Sequence, residues 1–230
     1  MKKLVFLTGA GISKESGIAT FRDSADGLWN NFKIEDVATP RGWRMDKKLV
    51  LDFYNQRRKD ANSKEPNNAH LKIKWLEDYF DVVVITQNVD NLHEKAGSSN
   101  IIHLHGELNK SRSTVDPQLV YDCFGDINLG DKCERGSQLR PHIIWFGENL
   151  DQRDIRRSEE ESKLADIYVI VGTSMKVSPA CDFPFLCKEG TPIYYIDPSD
   201  VDFHVPYWRN FTHIKKPATE GIEDLIKLIM

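Results

Sequence analysis

Short β-branched apolar runs recur along this chain between stretches of helical spacing: Lys3 to Thr8, Asp81 to Thr86, Ile101 to Leu104, His142 to Phe146, Asp166 to Gly172 and Pro192 to Ile196. The runs are nearly continuous rather than alternating, as expected of strands covered on both faces. Strands separated by helices predict an α/β fold with a doubly wound, Rossmann-like parallel sheet. In such sheets ligands sit beyond the carboxyl ends of the strands. The segments at Gly9, Gln87, His105 and Gly172 all fall there, so four separated motifs are expected to converge on one crevice.

Two regions break the alternation. Residues 26–60 read as helices and turns interrupted at Thr39-Pro40, and residues 109–139 are polar and turn-rich without a clear period. These excursions are expected to form one small lobe, with residues 1–25, 61–108 and 140–230 as the core of a single catalytic-type domain over 1–230.

Composition narrows the partners. At 230 residues the chain can bury a sizeable core. A net charge of −4 gives no support for a phosphate-backbone partner, so nucleic acid is not expected. The opening MKKLVFL imitates a signal peptide but stops at Thr8, and we read it as a buried first strand. No apolar run approaches the roughly 20 residues needed to cross a bilayer, so no membrane partner is expected. Four cysteines, at 123, 133, 181 and 187, are too sparse for a secreted disulfide scaffold and suit a reducing cytoplasm. The Asn210-Phe211-Thr212 sequon then carries no weight. Nothing in the pattern specifies an oligomeric state.

Each candidate motif has a structural as well as a chemical reading. Gly9-Ala10-Gly11 follows the first strand and holds two glycines of a dinucleotide turn, but Lys14 stands where the third belongs. Such a turn either lets backbone N–H groups approach a phosphate or is a tight strand-to-helix connection. Arg22, farther along the loop, has the length to reach phosphate or ribose, and Phe21 to cover an aromatic ring. Gln87, Asn88 and Asp90 suit a ribose or carboxamide, or cap a helix. His103 and His105 share a strand face, with no third ligand near enough in sequence to suggest metal. His105, beside Gly106, is the better candidate for a general base near neutral pH. Gly172, Thr173 and Ser174 follow another strand and serve phosphate, ribose or a helix cap.

Taken together, GAGIS, SGIATFR, TQNVDNLH, HG, RPHIIWFGE and GTS, in this order through nearly the whole chain, resemble the sirtuin family of NAD-dependent protein deacylases. The resemblance implies that NAD is a consumed co-substrate. It places Gly9, Ala10, Gly11, Arg22, Gly172, Thr173 and Ser174 with Gln87, Asn88 and Asp90 around NAD. It makes His105 the catalytic base, with Trp145, Phe146 and Gly147 flanking the acyl-lysine entrance. The implied reaction begins with attack of the acyl oxygen on the ribose carbon as nicotinamide leaves. It ends with deacylated lysine and O-acyl-ADP-ribose.

Departures from the family pattern matter too. Many sirtuins hold zinc with two Cys-x-x-Cys pairs, whereas the corresponding interval here has only Cys123 and Cys133, so no metal is expected. Ala19 stands where a proline is common, and Tyr195 precedes Asp197-Pro198-Ser199 where the family often has asparagine. Tyr54 and Arg57, three apart on a predicted helix, share a face. Read alone they belong to a solvated basic face or to a carboxylate clamp. In the desuccinylase and demalonylase branch of the family the same Tyr-x-x-Arg pattern reads an acyl carboxylate, which implies succinyl- or malonyl-lysine proteins as substrates, with acetyl-lysine also accepted. Mono-ADP-ribosyl transfer and a non-catalytic NAD-binding module are the competing expectations.

Overall fold

The apolar runs assemble as two sheets rather than one. The computed structural model describes residues 1–19, 32–203 and 210–230. Its strands are β1 (Lys3–Thr8), β2 (Asp81–Thr86), β3 (Ile101–His103), β4 (Gly106–Ser113), β5 (Val120–Asp122), β6 (Leu139–Ile143), β7 (Ile167–Val171), β8 (Ile193–Ile196) and β9 (Phe211–Ile214). Its helices are α1 (Ala10–Lys14), α2 (Ile34–Val37), α3 (Pro40–Met45), α4 (Lys47–Asn62), α5 (Asn68–Leu76), α6 (Leu92–Ala96), α7 (Gln152–Leu164) and α8 (Ala218–Ile229), with a 3-10 helix over Ala180–Leu186.

Among the described residues the larger sheet runs β3-β2-β1-β7-β8-β9, with every neighbouring pair parallel. The strand order reverses at β1 and β7, so the switch-point crevice opens at the carboxyl ends of those two strands. Side chains alternate between two buried layers. Leu4, Phe6, Val82, Val84, Val169 and Val171 pack toward α5 and α8, whereas Val5, Leu7, Val83, Ile85, Tyr168 and Ile170 pack on the opposite face. Each such aliphatic side chain stabilises the fold by about 1.5–3 kcal/mol relative to exposure. Burial on both faces explains why these strands read as unbroken apolar runs.

The second sheet, β5-β4-β6, is antiparallel and belongs to the excursions. It packs with α2, α3 and α4 around Val37, Trp43, Val50, Leu51, Phe53, Leu108, Ile127 and Ile143. Here the structure departs from the expected pattern. The run expected over His142 to Phe146 is a strand only at Leu139–Ile143, lies in the small sheet, and ends before Trp145. Buried Arg140 and Pro141 hide its strand character from an apolar count. The stretch 109–139 contains β5 and most of β4, where the buried positions Ser111, Arg112 and Ser113 are polar and so leave no apolar period. The edge strand β9 has only one buried residue, Ile214, and escaped the same reading. Among the described residues no helix is long and apolar enough to cross a membrane.

Candidate active site

The crevice is built from the glycine turn upward. A Cβ on Gly11 would stand 2.6 Å from the Gly172 Cα, and one on Gly172 would stand 2.4 Å from the Ile12 nitrogen, with Gly172 itself at φ +60°. Two backbones touch here because neither residue carries a side chain. The amide of Gly9 donates to the Val171 carbonyl at 3.0 Å and that of Gly11 to the Gly172 carbonyl at 2.8 Å. Of the two readings of this turn, the tight connection accounts for these N–H groups, which are spent joining the ends of β1 and β7. Ala10, between them, opens α1.

Side chains from the end of β2 close the floor. Asn88 Nδ2 donates to the Gly9 carbonyl at 3.0 Å and to Ser13 Oγ at 3.0 Å, and Ser13 Oγ donates to Asp90 Oδ2 at 3.0 Å. Burial raises the Asp90 pKa, opposed by bonds from the Leu92 amide and from Ser13. Gln87 Nε2 donates to Thr173 Oγ1 at 2.9 Å, bridging β2 to the turn after β7. Ser174 is half-buried beside Thr173. Gln87, Asn88, Asp90, Gly172 and Thr173 are therefore brought together with the glycine turn. Arg22 and Phe21 lie outside the described residues.

His105 sits where the two sheets meet. Its carbonyl accepts from the Ile144 amide at 3.0 Å, and Gly106, at φ +83°, makes the turn into β4. A Cβ on Gly106 would stand 2.0 Å from the His142 oxygen. His105 Nδ1 lies 2.9 Å from the Gln87 carbonyl, which only accepts, so Nδ1 carries the proton and Nε2 keeps its lone pair. Burial lowers its pKa, partly offset by that bond. His103 is differently engaged. Its Nε2 meets Glu94 Oε1 at 2.5 Å, and although burial opposes charging, Glu94 raises its pKa. Glu94, His103 and Glu107 hold potential metal-ligand atoms within 4.8 Å of one another, but ion pairs Glu94–His103 and Glu107–Lys110 already join them.

Helix α4 starts at the Asp46 cap, which accepts from the Leu49 amide at 2.9 Å. Tyr54 and Arg57 share one of its faces, the guanidinium carbon lying 6.0 Å from the Tyr54 ring centroid. Burial lowers the Arg57 pKa, while Tyr54, Asp90 and Asp60 act in the opposite direction. Trp145, expected at an entrance, is instead 3% exposed within the small-lobe core, and its Nε1 donates to the Tyr54 hydroxyl at 3.1 Å. Phe146 is 54% exposed and Gly147 turns the chain at φ +87°.

Three features were not assigned from sequence. Ser13 links Asn88 to Asp90, and its only signal was its place in GAGIS. Arg58, fully buried, donates to the Leu108 and Gly125 carbonyls and to Asn55 Oδ1, tying the second excursion to α4. Cys133 Sγ lies 3.3 Å from Ser113 Oγ and 3.1 Å from Ser137 Oγ, and these bonds lower its pKa to about 7. Tyr195 faces the core, its hydroxyl donating to the Thr173 carbonyl at 3.2 Å.

A doubly wound sheet whose switch-point crevice joins a glycine turn, an Asn-Ser-Asp relay and a half-buried histidine defines a specific class of α/β protein. Residues 9–179 match the family model described as the Sir2 family. The chain is 47% identical to an NAD-dependent protein deacylase of Bacteroides thetaiotaomicron, covering 100% of this chain and 99% of that one. It is 49% identical to an NAD-dependent protein deacylase of Helicobacter pylori, covering 100% and 98%. A solved Sir2 homolog–NAD complex superposes with a TM-score of 0.88 at 38% identity, covering 99% of this chain and 89% of that one. The chain belongs to the Sir2 family.

Proposed function

We propose that this protein is an NAD-dependent protein-lysine deacylase that removes succinyl or malonyl groups, accepts acetyl groups as well, and releases nicotinamide and O-acyl-ADP-ribose. The reading is carried by one juxtaposition: His105, whose Nε2 lone pair is left free by its Nδ1 bond, is tied to the carbonyl of Gln87, the residue that precedes Asn88 of the Asn88–Ser13–Asp90 relay. The activity named for the two full-length relatives supports the same reaction.

In this reading Gly9, Ala10, Gly11, Gly172, Thr173 and Ser174 would hold NAD at the crevice, with Arg22 as a further NAD-binding residue. NAD supplies the activated ribose carbon that the acyl oxygen attacks. Gln87, Asn88 and Asp90 orient the ribose and carboxamide by hydrogen bonds. His105 Nε2 takes a proton from a ribose hydroxyl, a role that needs the neutral imidazole. Phe146 and Gly147 border the acyl-lysine peptide, whose extended backbone has strand edges to pair with.

The acyl preference rests on Tyr54 and Arg57. A guanidinium grips a carboxylate with two parallel bonds, and a neighbouring phenol adds a third donor. Arg57 is half-buried, and a partly desolvated guanidinium gains more from a carboxylate than a fully solvated one would.

The test is mass spectrometry of matched succinyl-lysine and acetyl-lysine peptides incubated with the protein, with and without NAD. Succinyl loss only with NAD, together with O-succinyl-ADP-ribose, is the expected result. NAD-dependent loss of acetyl alone removes the carboxylate preference but keeps the reaction. No loss from either peptide removes the deacylase reading.

A further inference from the structure

Trp145 is held on several sides by groups that have no place in the chemistry above. Glu148 accepts from Arg140 twice, at 2.6 and 3.0 Å, from Arg112 at 3.0 Å and from the Trp145 amide at 2.9 Å. Arg140 Nη2 also donates to the Ile143 carbonyl at 2.8 Å. The Arg140 guanidinium carbon lies 3.3 Å from the Trp145 ring centroid, and Trp43 packs against the same indole at 5.7 Å. Burial opposes ionisation of Glu148, yet Arg140 lowers its pKa, so the carboxylate stays charged at neutral pH. Two arginines and one carboxylate thus fix both the backbone and the ring of a single tryptophan.

That ring has one polar atom, and it points at Tyr54. An indole N–H only donates, so the Tyr54 oxygen must accept at 3.1 Å. A phenol O–H lies near its ring plane in one of two orientations, and donation from Trp145 excludes one of them. Burial raises the Tyr54 pKa, with Arg57 and the Trp145 bond opposing, so the phenol keeps its proton. Tyr54 is therefore left as a donor directed away from Trp145, on the helix face it shares with Arg57.

We propose that Arg140 and Glu148 are positioning residues for acyl-group recognition, acting through Trp145 to orient the Tyr54 hydroxyl as a hydrogen-bond donor toward an acyl carboxylate. The proposal rests on the carboxylate reading of Tyr54 and Arg57 given above. Arg140 and Glu148 touch no reacting atom; they decide which way a substrate-facing proton points.

The experiment is steady-state kinetics on matched succinyl- and acetyl-lysine peptides at saturating NAD, for Trp145→Phe, Glu148→Gln and Arg140→Lys, with Arg57→Met alongside. The succinyl-to-acetyl ratio of kcat/KM is expected to fall about three- to tenfold in Trp145→Phe and Glu148→Gln, the size of one hydrogen bond, through a higher KM for the succinyl peptide. Arg140→Lys keeps the charge but loses the planar stack and the two-bond grip, and is expected to behave like Glu148→Gln. Equal losses on both peptides, with Arg57→Met still shifting the ratio, would show that these residues only hold the fold, and would overturn the proposal while sparing the clamp. An unshifted ratio in Arg57→Met would remove the clamp and this proposal together. Should thermal unfolding show Glu148→Gln to be unfolded, Trp145→Phe, which keeps an aromatic ring in place, decides the outcome.

Discussion

The Nδ1 of His105 donates to the backbone carbonyl of Gln87 across 2.9 Å, which ties the imidazole of one strand end to the floor built by the next. Burial lowers the His105 pKa, so the neutral base persists to a lower pH than for an exposed histidine. The acid limb of kcat/KM is therefore expected below the ordinary histidine range near pH 6.5. His105→Ala should cost about 10²- to 10⁴-fold in kcat, the usual worth of a positioned base. A pH–rate profile of wild type and His105→Ala checks both. An acid limb unmoved in the variant would assign the proton to another group.

The contact of Gly11 with Gly172 admits no methyl group. Gly11→Ala places a Cβ 2.6 Å from the Gly172 backbone just past the end of β7, and Gly172→Ala puts a side chain on a residue at φ +60°. Each is expected to destabilise the fold by about 1–3 kcal/mol. Urea midpoints measure that loss. NAD titration should show weaker binding as well, because the same contact shapes the crevice.

His70 and His93 form a buried pair with ring centroids 4.9 Å apart, and each has one ring nitrogen without a partner. Burial depresses the His70 pKa to about 4 and the His93 pKa well below its ordinary value. The folded state thus binds fewer protons than the unfolded chain between pH 4 and about 6.5. Stability is complete above that window and falls as pH drops through it, by on the order of 3 kcal/mol for His70 alone. Urea unfolding at pH 7.5 and 5 is expected to show the loss in wild type and a smaller one in His70→Asn.

Arg58 satisfies two backbone carbonyls and the Asn55 amide oxygen inside the small lobe. Arg58→Met leaves the buried Leu108 carbonyl without that partner and should cost about 1–3 kcal/mol. Hydrogen exchange is expected to rise first around 108–127. Uniform exchange across the chain would show that Arg58 does not tie that segment specifically.

The bounds of β1 and β2 were legible because burial on both faces turns a strand into an unbroken apolar run. Those of β7 and β8 were read to within about a residue for the same reason. The residues at the ends of these strands were legible as polar or glycine positions, and the structure brings Gly9, Gln87, Asn88, Asp90, His105 and Thr173 to one crevice. The small lobe was not legible in this way. Its sheet is three strands wide, with polar residues buried on β4 and an arginine buried on β6, so its pattern resembles turns.

Sequence alone determined the alternating strands, the chemistry available at their ends and the Tyr54–Arg57 spacing, because each depends on local period and residue type. Only the tertiary structure decided that the amides of Gly9 and Gly11 join strands and that Ser13 couples Asn88 to Asp90. It alone buried Trp145 behind Tyr54. Those relations join segments from 75 to more than 160 residues apart in the chain, and packing density, not local pattern, selects which distant atoms meet.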